Sequence, residues 1–382
     1  MYLPNYKNGS IVNLMASLAR ELGGDSPYGS LKDFDLENFH GKNIILMVID
    51  GLGYEFLKKY GRGSFLEKNL KQKITSVFPS TTAAGVTAFL TGVPPQQHGL
   101  TGWFMYLKEL GIVARIIPFT TRAGRVALEG KDIKLKNILR EKPFFKKIKA
   151  AGYAVHHQDY FDQPYSRTLT QGAKKLPFNL MPGFFKSIEK ALSEPSKRKF
   201  IYAYWDGVDS VCHKSGCNSQ KAIKHFKALD KKIAALAKTL KNTVLIITAD
   251  HGQIDTEPAK LIKLENHPDL ARTLALPLCG EPRLAYCYVR AGQAARFKSY
   301  IKNNFKQACE VHDSQKLIKK NFFGLFKANP NLSDRVGDYT LIMKDNYVIK
   351  DFLEGEDRKF GPGVHGGVSK QEMFVPLVVV NN

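Results

Sequence analysis

Cysteine is scarce in this chain: five in 382 residues, Cys212, Cys217, Cys279, Cys287 and Cys309, an odd number with no CxxC pair among them. That pattern excludes a disulfide-framed scaffold and a cysteine-ligated zinc or redox motif, and it fits reduced thiols in a cytoplasm, the expected location. Long apolar runs are also missing. The best of them, residues 43–49 and 374–380, fall well short of the roughly 18 needed for a membrane-spanning helix. Asn5, Lys7, Asn8 and Asn13 break up the first twenty residues, so no signal-peptide core is expected there. Neither a fixed-period repeat nor a low-complexity tract occurs, which argues against solenoids and disordered linkers. Acidic residues are few beside basic ones, 35 Asp and Glu against 57 Lys and Arg, giving a net charge of +22. Such a charge reads either as a lysine-rich solvated surface or as steering toward polyanions. No basic recognition helix or aromatic-interleaved motif marks a nucleic-acid module.

What is present is a core-forming composition, 43% hydrophobic, on a chain long enough to bury most of its apolar surface. Strand-like runs at 43–49, 74–78, 200–205, 243–248 and 374–380 alternate with helical stretches such as 219–240. This alternation predicts an α/β fold: a largely parallel central sheet with helices on both faces. Between 280 and 349 the pattern shifts to shorter elements, read as a small α/β insertion within a main domain formed by 1–279 and 350–382. The stretch 105–195 reads as loop-rich and suited to a lid or substrate wall.

Polar residues cluster where the apolar runs end, the edge at which open α/β sheets bind ligands. Asp50 and Gly51 follow the first run, where a metal ligand would sit; alone, such an aspartate is more often a helix cap or turn former. Ser80, Thr81 and Thr82 precede a small-residue helix, placing a hydroxyl at a helix N-terminus, where free N–H groups and the dipole favour phosphate and alkoxide, or where it simply caps the helix. Asp209 and His213 stand i, i+4 on one helical face, a spacing suited to a shared cation or to a surface ion pair, with Asp206 as a rival ligand. Asp250 and His251 end a buried-type strand, and Gly252 permits the turn that lets both reach one ion. His365 lies in the glycine-rich loop 361–367. Six oxygen and nitrogen donors plus a hydroxyl provide for two divalent ions, zinc or manganese in preference to an iron–sulfur centre, and two metals suit phosphoryl transfer.

These segments, in this order, resemble the type I phosphodiesterase/nucleotide pyrophosphatase branch of the alkaline phosphatase superfamily. The resemblance rests on Asp50-Gly51, Thr82, Asp209-x-x-x-His213-x-x-Gly216, Asp250-His251-Gly252 and His365-Gly366-Gly367. With no membrane-spanning run the chain is expected to be soluble, and the resemblance implies an alkaline-phosphatase-like hydrolase with two metal ions. Asp209, His213 and His365 would hold one ion; Asp50, Thr82, Asp250 and His251 would hold the other. Thr82 would be the nucleophile, passing through a phosphothreonine intermediate, by gapless matching from Pro79 to Gly92; Thr81 is the alternative. Trp103 follows His98-Gly99-Leu100-Thr101-Gly102, where the family often places a phosphate-holding asparagine, and is taken as a substrate-binding candidate. Ala83 replaces the aromatic residue that stacks on a nucleobase in family members. The expected substrate is a small phosphorylated compound carrying a phosphodiester or nucleotide pyrophosphate bond, with nucleotides among the candidates. Rival readings are a phosphomonoesterase, a phosphonate hydrolase or a manganese mutase on the same scaffold, and a non-catalytic basic polyanion-binding protein.

Overall fold

The computed structural model describes residues 1–130 and 132–381. Its central sheet contains β1 (Asn43–Ile49), β2 (Leu70–Thr75), β3 (Ala151–His157), β4 (Ala173–Phe178), β5 (Lys199–Trp205), β6 (Thr243–Thr248) and β7 (Phe374–Asn381), in the order β2-β7-β6-β1-β5-β3-β4. The pairs β6–β1, β1–β5, β5–β3 and β3–β4 are parallel, while β7 runs antiparallel to both of its neighbours. From Ile44 to Ile49 the side chains of β1 have no solvent exposure, as a strand covered on both faces requires. The helices α1 (Ile11–Glu21), α2 (Thr82–Thr91), α3 (Met181–Ser193), α4 (Gly207–Ser215) and α5 (Gln220–Thr239) pack around the sheet and on one another. This is the mixed α/β architecture, mostly parallel at its centre, that the alternation predicts.

Two details depart from the sequence reading. The apolar run 74–78 is not itself a strand: β2 spans Leu70–Thr75, and the chain leaves the sheet at Ser76. Pro79 cannot donate to a ladder, and the Ser76 hydroxyl instead donates to the Asp250 carbonyl. More consequentially, the stretch 105–195 supplies β3, β4 and α3 to the central layer. These strands escape a hydrophobic scan for a physical reason. At the edge of the sheet, β4 carries Lys174, Lys175 and Pro177, which only an edge position tolerates, and β3 contains Gly152, His156 and His157.

A second seven-stranded sheet joins the segments 309–313, 339–343, 284–287, 279–281, 104–107, 112–115 and 120–121 in that spatial order. The two stretches meet where Gly280 pairs with Phe104, which sets Trp103 and Glu281 side by side. Phe78, in the loop before α2, packs edge-on against Phe322 and Phe323 at 5.3 and 5.0 Å and shares a core cluster with Tyr286, so the layers interlock.

One buried ion pair locks this junction. Arg283, on the short connection between segments 279–281 and 284–287, meets Glu372 at 3.0 Å with side-chain exposures of 1% and 0%. The guanidinium also donates to the Tyr347 carbonyl, and Glu372 accepts from the Gly367 amide. Burial raises the cost of the Glu372 charge, but Arg283 and these donors outweigh it and hold the carboxyl below its ordinary range. Arg283→Met strands that carboxylate in the interior and should cost about 3–5 kcal/mol in urea unfolding, whereas changing both partners to apolar residues should recover much of the loss. A single-variant loss under about 1 kcal/mol would show that the pair locks nothing.

Candidate active site

The parallel strands β6, β1 and β5 end side by side, and each hands over a carboxylate: Asp250 two residues past β6, Asp50 directly after β1, and Asp209 in the first turn of α4 after β5. α2 approaches this edge so closely that a Cβ on Gly85 would lie 2.9 Å from the Asp250 Cβ. Gly252 serves a different purpose from the turn the sequence reading gave it. Its φ is not in the left-handed region; instead, a Cβ there would fall 2.0 Å from the Gln371 carbonyl oxygen. The missing side chain lets Asp250-His251-Gly252 lie against the helical turn Lys370–Met373 that leads into the last strand.

The predicted residues come together. His251 Nε2 lies 3.3 Å from Asp50 Oδ1, 3.5 Å from Asp250 Oδ2 and 3.0 Å from Thr82 Oγ1. On the other side, Asp209 Oδ1 lies 3.3 Å from His213 Nε2 and 3.8 Å from His365 Nε2, and the two imidazole nitrogens are 3.2 Å apart. The His251 and His365 rings stack at 3.9 Å, so the two halves are contiguous. Asp50, Asp250 and His251 present ligand atoms within 4.8 Å of one another, and so do Asp209, His251 and His365. Asp206 stands apart from both groups. It occupies the N-cap position of α4 and accepts a hydrogen bond of 3.0 Å from the Tyr160 hydroxyl.

The electrostatics of this edge are those of a cation site. Burial, with Asp209 and Asp250 nearby, pushes the Asp50 carboxyl well above its ordinary range, and burial raises Asp250 as well. For Asp209, burial is outweighed by His213, and its carboxyl is lowered; reciprocally, Asp209 overcomes burial at His213 and lifts that imidazole to about 9. His365 is pushed down by burial and by His251. Asp50 Oδ1 and Asp250 Oδ2 are buried and make no hydrogen bond among the described residues, a deficit that protein interiors rarely leave unless an ion or water fills it. The His213 Nδ1 lies 2.7 Å from the Gly363 carbonyl, which fixes the ring with Nε2 facing inward, as outer contacts of metal-binding histidines do. The donor set and its unsatisfied oxygens therefore fit divalent cations.

Thr82 is the first residue of α2. The N-cap residue, Thr81, does not close the helix end: its hydroxyl donates to Glu281 Oε1 at 2.6 Å instead. The first-turn amides thus lack a side-chain cap, the arrangement in which a helix end receives an anion. Trp103 lines the same cavity of about 420 Å³ as Asp50, Thr82, Asp209 and His365. Its backbone amide donates to Glu281 Oε1 at 2.7 Å.

Several residues around the site are not singled out by the sequence reading. Burial pushes Glu281 up to about 7, even though Thr81 and Trp103 donate to it; only pairing within the second sheet brings it here. The Tyr204 hydroxyl donates to Asp50 Oδ2, and the Gln253 amide donates to Asp209 Oδ1. A tyrosine in a wholly buried strand was the one available hint for Tyr204, since its hydroxyl must find a partner.

The model for the type I phosphodiesterase/nucleotide pyrophosphatase family matches residues 44–367. Murine ectonucleotide pyrophosphatase/phosphodiesterase 5 superposes with a TM-score of 0.65 at 19% identity, covering 88% of this chain and 87% of that one. An inactive variant of the murine protein in complex with AMP gives a TM-score of 0.64 at 18% identity, with the same coverage of 88% and 87%. Phosphonoacetate hydrolase from Sinorhizobium meliloti, in complex with phosphonoacetate, gives 0.66 at 17% identity over 89% of this chain and 90% of its own. At these identities the likeness establishes the fold. No curated protein matches by sequence.

Zinc or manganese added to metal-depleted protein at a hundred times its dissociation constant should stabilise it by about 2.7 kcal/mol, read by calorimetry. Asp250→Asn should remove most of that gain. Because Asp209 keeps His213 protonated to about 9, ion uptake displaces a proton, and affinity should rise as pH climbs toward that value. An equal gain in Asp250→Asn would place the ions elsewhere.

Proposed function

Because the chain belongs to the type I phosphodiesterase/nucleotide pyrophosphatase family, a family of phosphoester hydrolases, we propose that it cleaves phosphodiester or nucleotide pyrophosphate bonds with Thr82 as the nucleophile. One observation carries this reading: the Thr82 hydroxyl, at an uncapped helix N-terminus, lies 3.0 Å from the imidazole shared by both groups of candidate ligands. Asp209, His213 and His365 would hold one ion, and Asp50, Asp250 and His251, with Thr82, the other. The nitrogen and oxygen donors favour zinc, with manganese as the alternative. Bound divalent ions would stabilise charge on phosphoryl oxygens and lower the pKa of a coordinated alcohol.

The chain's own residues supply the remainder. Thr82 Oγ1 gives up its proton to solvent and bonds to phosphorus in line with the departing alcohol or phosphate, whose P–O bond breaks and which takes a proton from solvent, giving phosphothreonine. The uncapped amides of α2 receive a phosphoryl oxygen, and Trp103 borders the space for the organic group. Water then attacks that phosphorus, the P–Oγ1 bond breaks, the phosphate product departs with the water oxygen, and Oγ1 takes back a proton. Thr81 is better suited to position this loop than to attack, because its hydroxyl is engaged by Glu281. The substrate is a small phosphorylated compound; the AMP and phosphonoacetate of the structural neighbours make nucleotides the first class to assay and phosphonates the second. No helix among the described residues is long and apolar enough to cross a membrane, and the five buried, unpaired cysteines fit the reducing cytoplasm in which we place the protein.

Thr82→Ala should lower turnover of a nitrophenyl phosphodiester by roughly a thousandfold or more while its metal content stays near that of the wild type. Thr81→Val should remain within about tenfold of wild type. Unchanged turnover in Thr82→Ala would refute the nucleophile, and faster cleavage of the nitrophenyl monoester or of phosphonoacetate than of the diester would shift the reading to the phosphomonoesterase or phosphonate-hydrolase alternative.

A further inference from the structure

Beyond the carboxylate row, the cavity has a wall that the chemistry above does not use. His156, at the carboxyl end of β3, lines the cavity and is only 6% exposed. Its Nε2 has no hydrogen-bond partner among the described residues. The hydroxyl of Tyr202, whose ring lies 5.6 Å from that of His156, is likewise buried and unpartnered. A buried imidazole left without a hydrogen bond at Nε2, on a residue that lines the cavity, points to a group brought in by the ligand.

The sheet register says which part of the ligand reaches it. β3 lies two strands from β1, beyond β5, which puts His156 on the order of 10 Å from Asp50, at about 4.8 Å per strand. That is too far to touch phosphorus and near enough for a substituent a few bonds away. Burial, with Lys175 nearby, pushes His156 down to about 4, so the ring is neutral at physiological pH and presents no charge to an anionic group. Trp103, Phe104 and Tyr160 give the same cavity an aromatic lining, which suits a planar or apolar body.

Resting on the hydrolase reading above, we propose that His156 is a specificity-determining residue: its imidazole hydrogen-bonds an uncharged polar atom on the organic group attached to phosphorus. A site built to hydrogen-bond its ligand discriminates strongly against analogues that lack the partner atom.

The test compares two nitrophenyl esters that both carry an organic group on phosphorus. One is the nitrophenyl ester of thymidine 5′-phosphate, with an uncharged amide edge; the other is nitrophenyl phenylphosphonate, with none. His156→Phe, which keeps the ring volume, should lower kcat/KM about tenfold or more on the first and leave the second within about threefold, and His156→Gln should restore part of the loss. Equal losses on both esters would mark His156 as merely structural, and no loss on either would also overturn the proposal. Binding separates this outcome from failure of the hydrolase reading. In a Thr82→Ala background, adding His156→Phe should weaken thymidine 5′-monophosphate about tenfold and leave phenylphosphonate unchanged, whether or not the wild type turns over either ester. Parallel or absent changes in the two dissociation constants would sink the role of His156.

Discussion

Two carboxylates, Asp50 and Asp250, are buried at one edge of a sheet with side-chain exposures of 3% and 0%, and a third, Asp209, is partly buried beside them at 14%, where their mutual repulsion has little water to weaken it. Left alone, such a cluster would shed charge by taking up protons, and Asp50 and Asp250 are indeed pushed in that direction. The surroundings relieve only part of it. Tyr204 donates to Asp50, backbone amides of Gly51 and His251 donate to Asp250, and His213 neutralises Asp209. What remains is a concentrated negative field beside a helix N-terminus that favours anions. Cations at the carboxylates and a phosphoryl group at the helix satisfy both demands at once.

The architecture can be understood as the means of holding that arrangement. Parallel strands deliver β6, β1 and β5 with their carboxyl ends together, so residues far apart in sequence converge without a long loop. The second sheet supplies what the parallel layer cannot: Glu281 ties down Thr81 and Trp103, while Arg283 and Glu372 hold the loop that presents His365. Ser80 donates to the Gly367 carbonyl at 2.7 Å, which links the Thr82 loop directly to the His365 loop. The buried polar contacts of the second sheet thus act on the geometry of the site as well as on stability.

Much of this was legible in the sequence because the strands that carry the site are also the most apolar. β1, β5 and β6 are uninterrupted hydrophobic runs, each followed within a few residues by an aspartate, and the spacing of Asp209 and His213 matches one turn of α4. The pattern failed where burial is partial. β3 and β4 carry histidine, lysine, glycine and proline and look like loop, yet β3 delivers His156. The roles of Glu281 and Tyr204 escaped for a different reason: they depend on contacts with Thr81, Trp103 and Asp50, residues between 154 and 200 positions away, which no local spacing encodes.

The central claim is that the carboxylate and imidazole row holds two cations beside Thr82. A crystal structure of the protein grown with zinc, with anomalous data collected at the zinc edge, tests it directly. Two peaks roughly 4 Å apart, one bounded by Asp50, Asp250 and His251 and the other by Asp209, His213 and His365, are the predicted result; a single peak, or peaks away from Thr82, would contradict it.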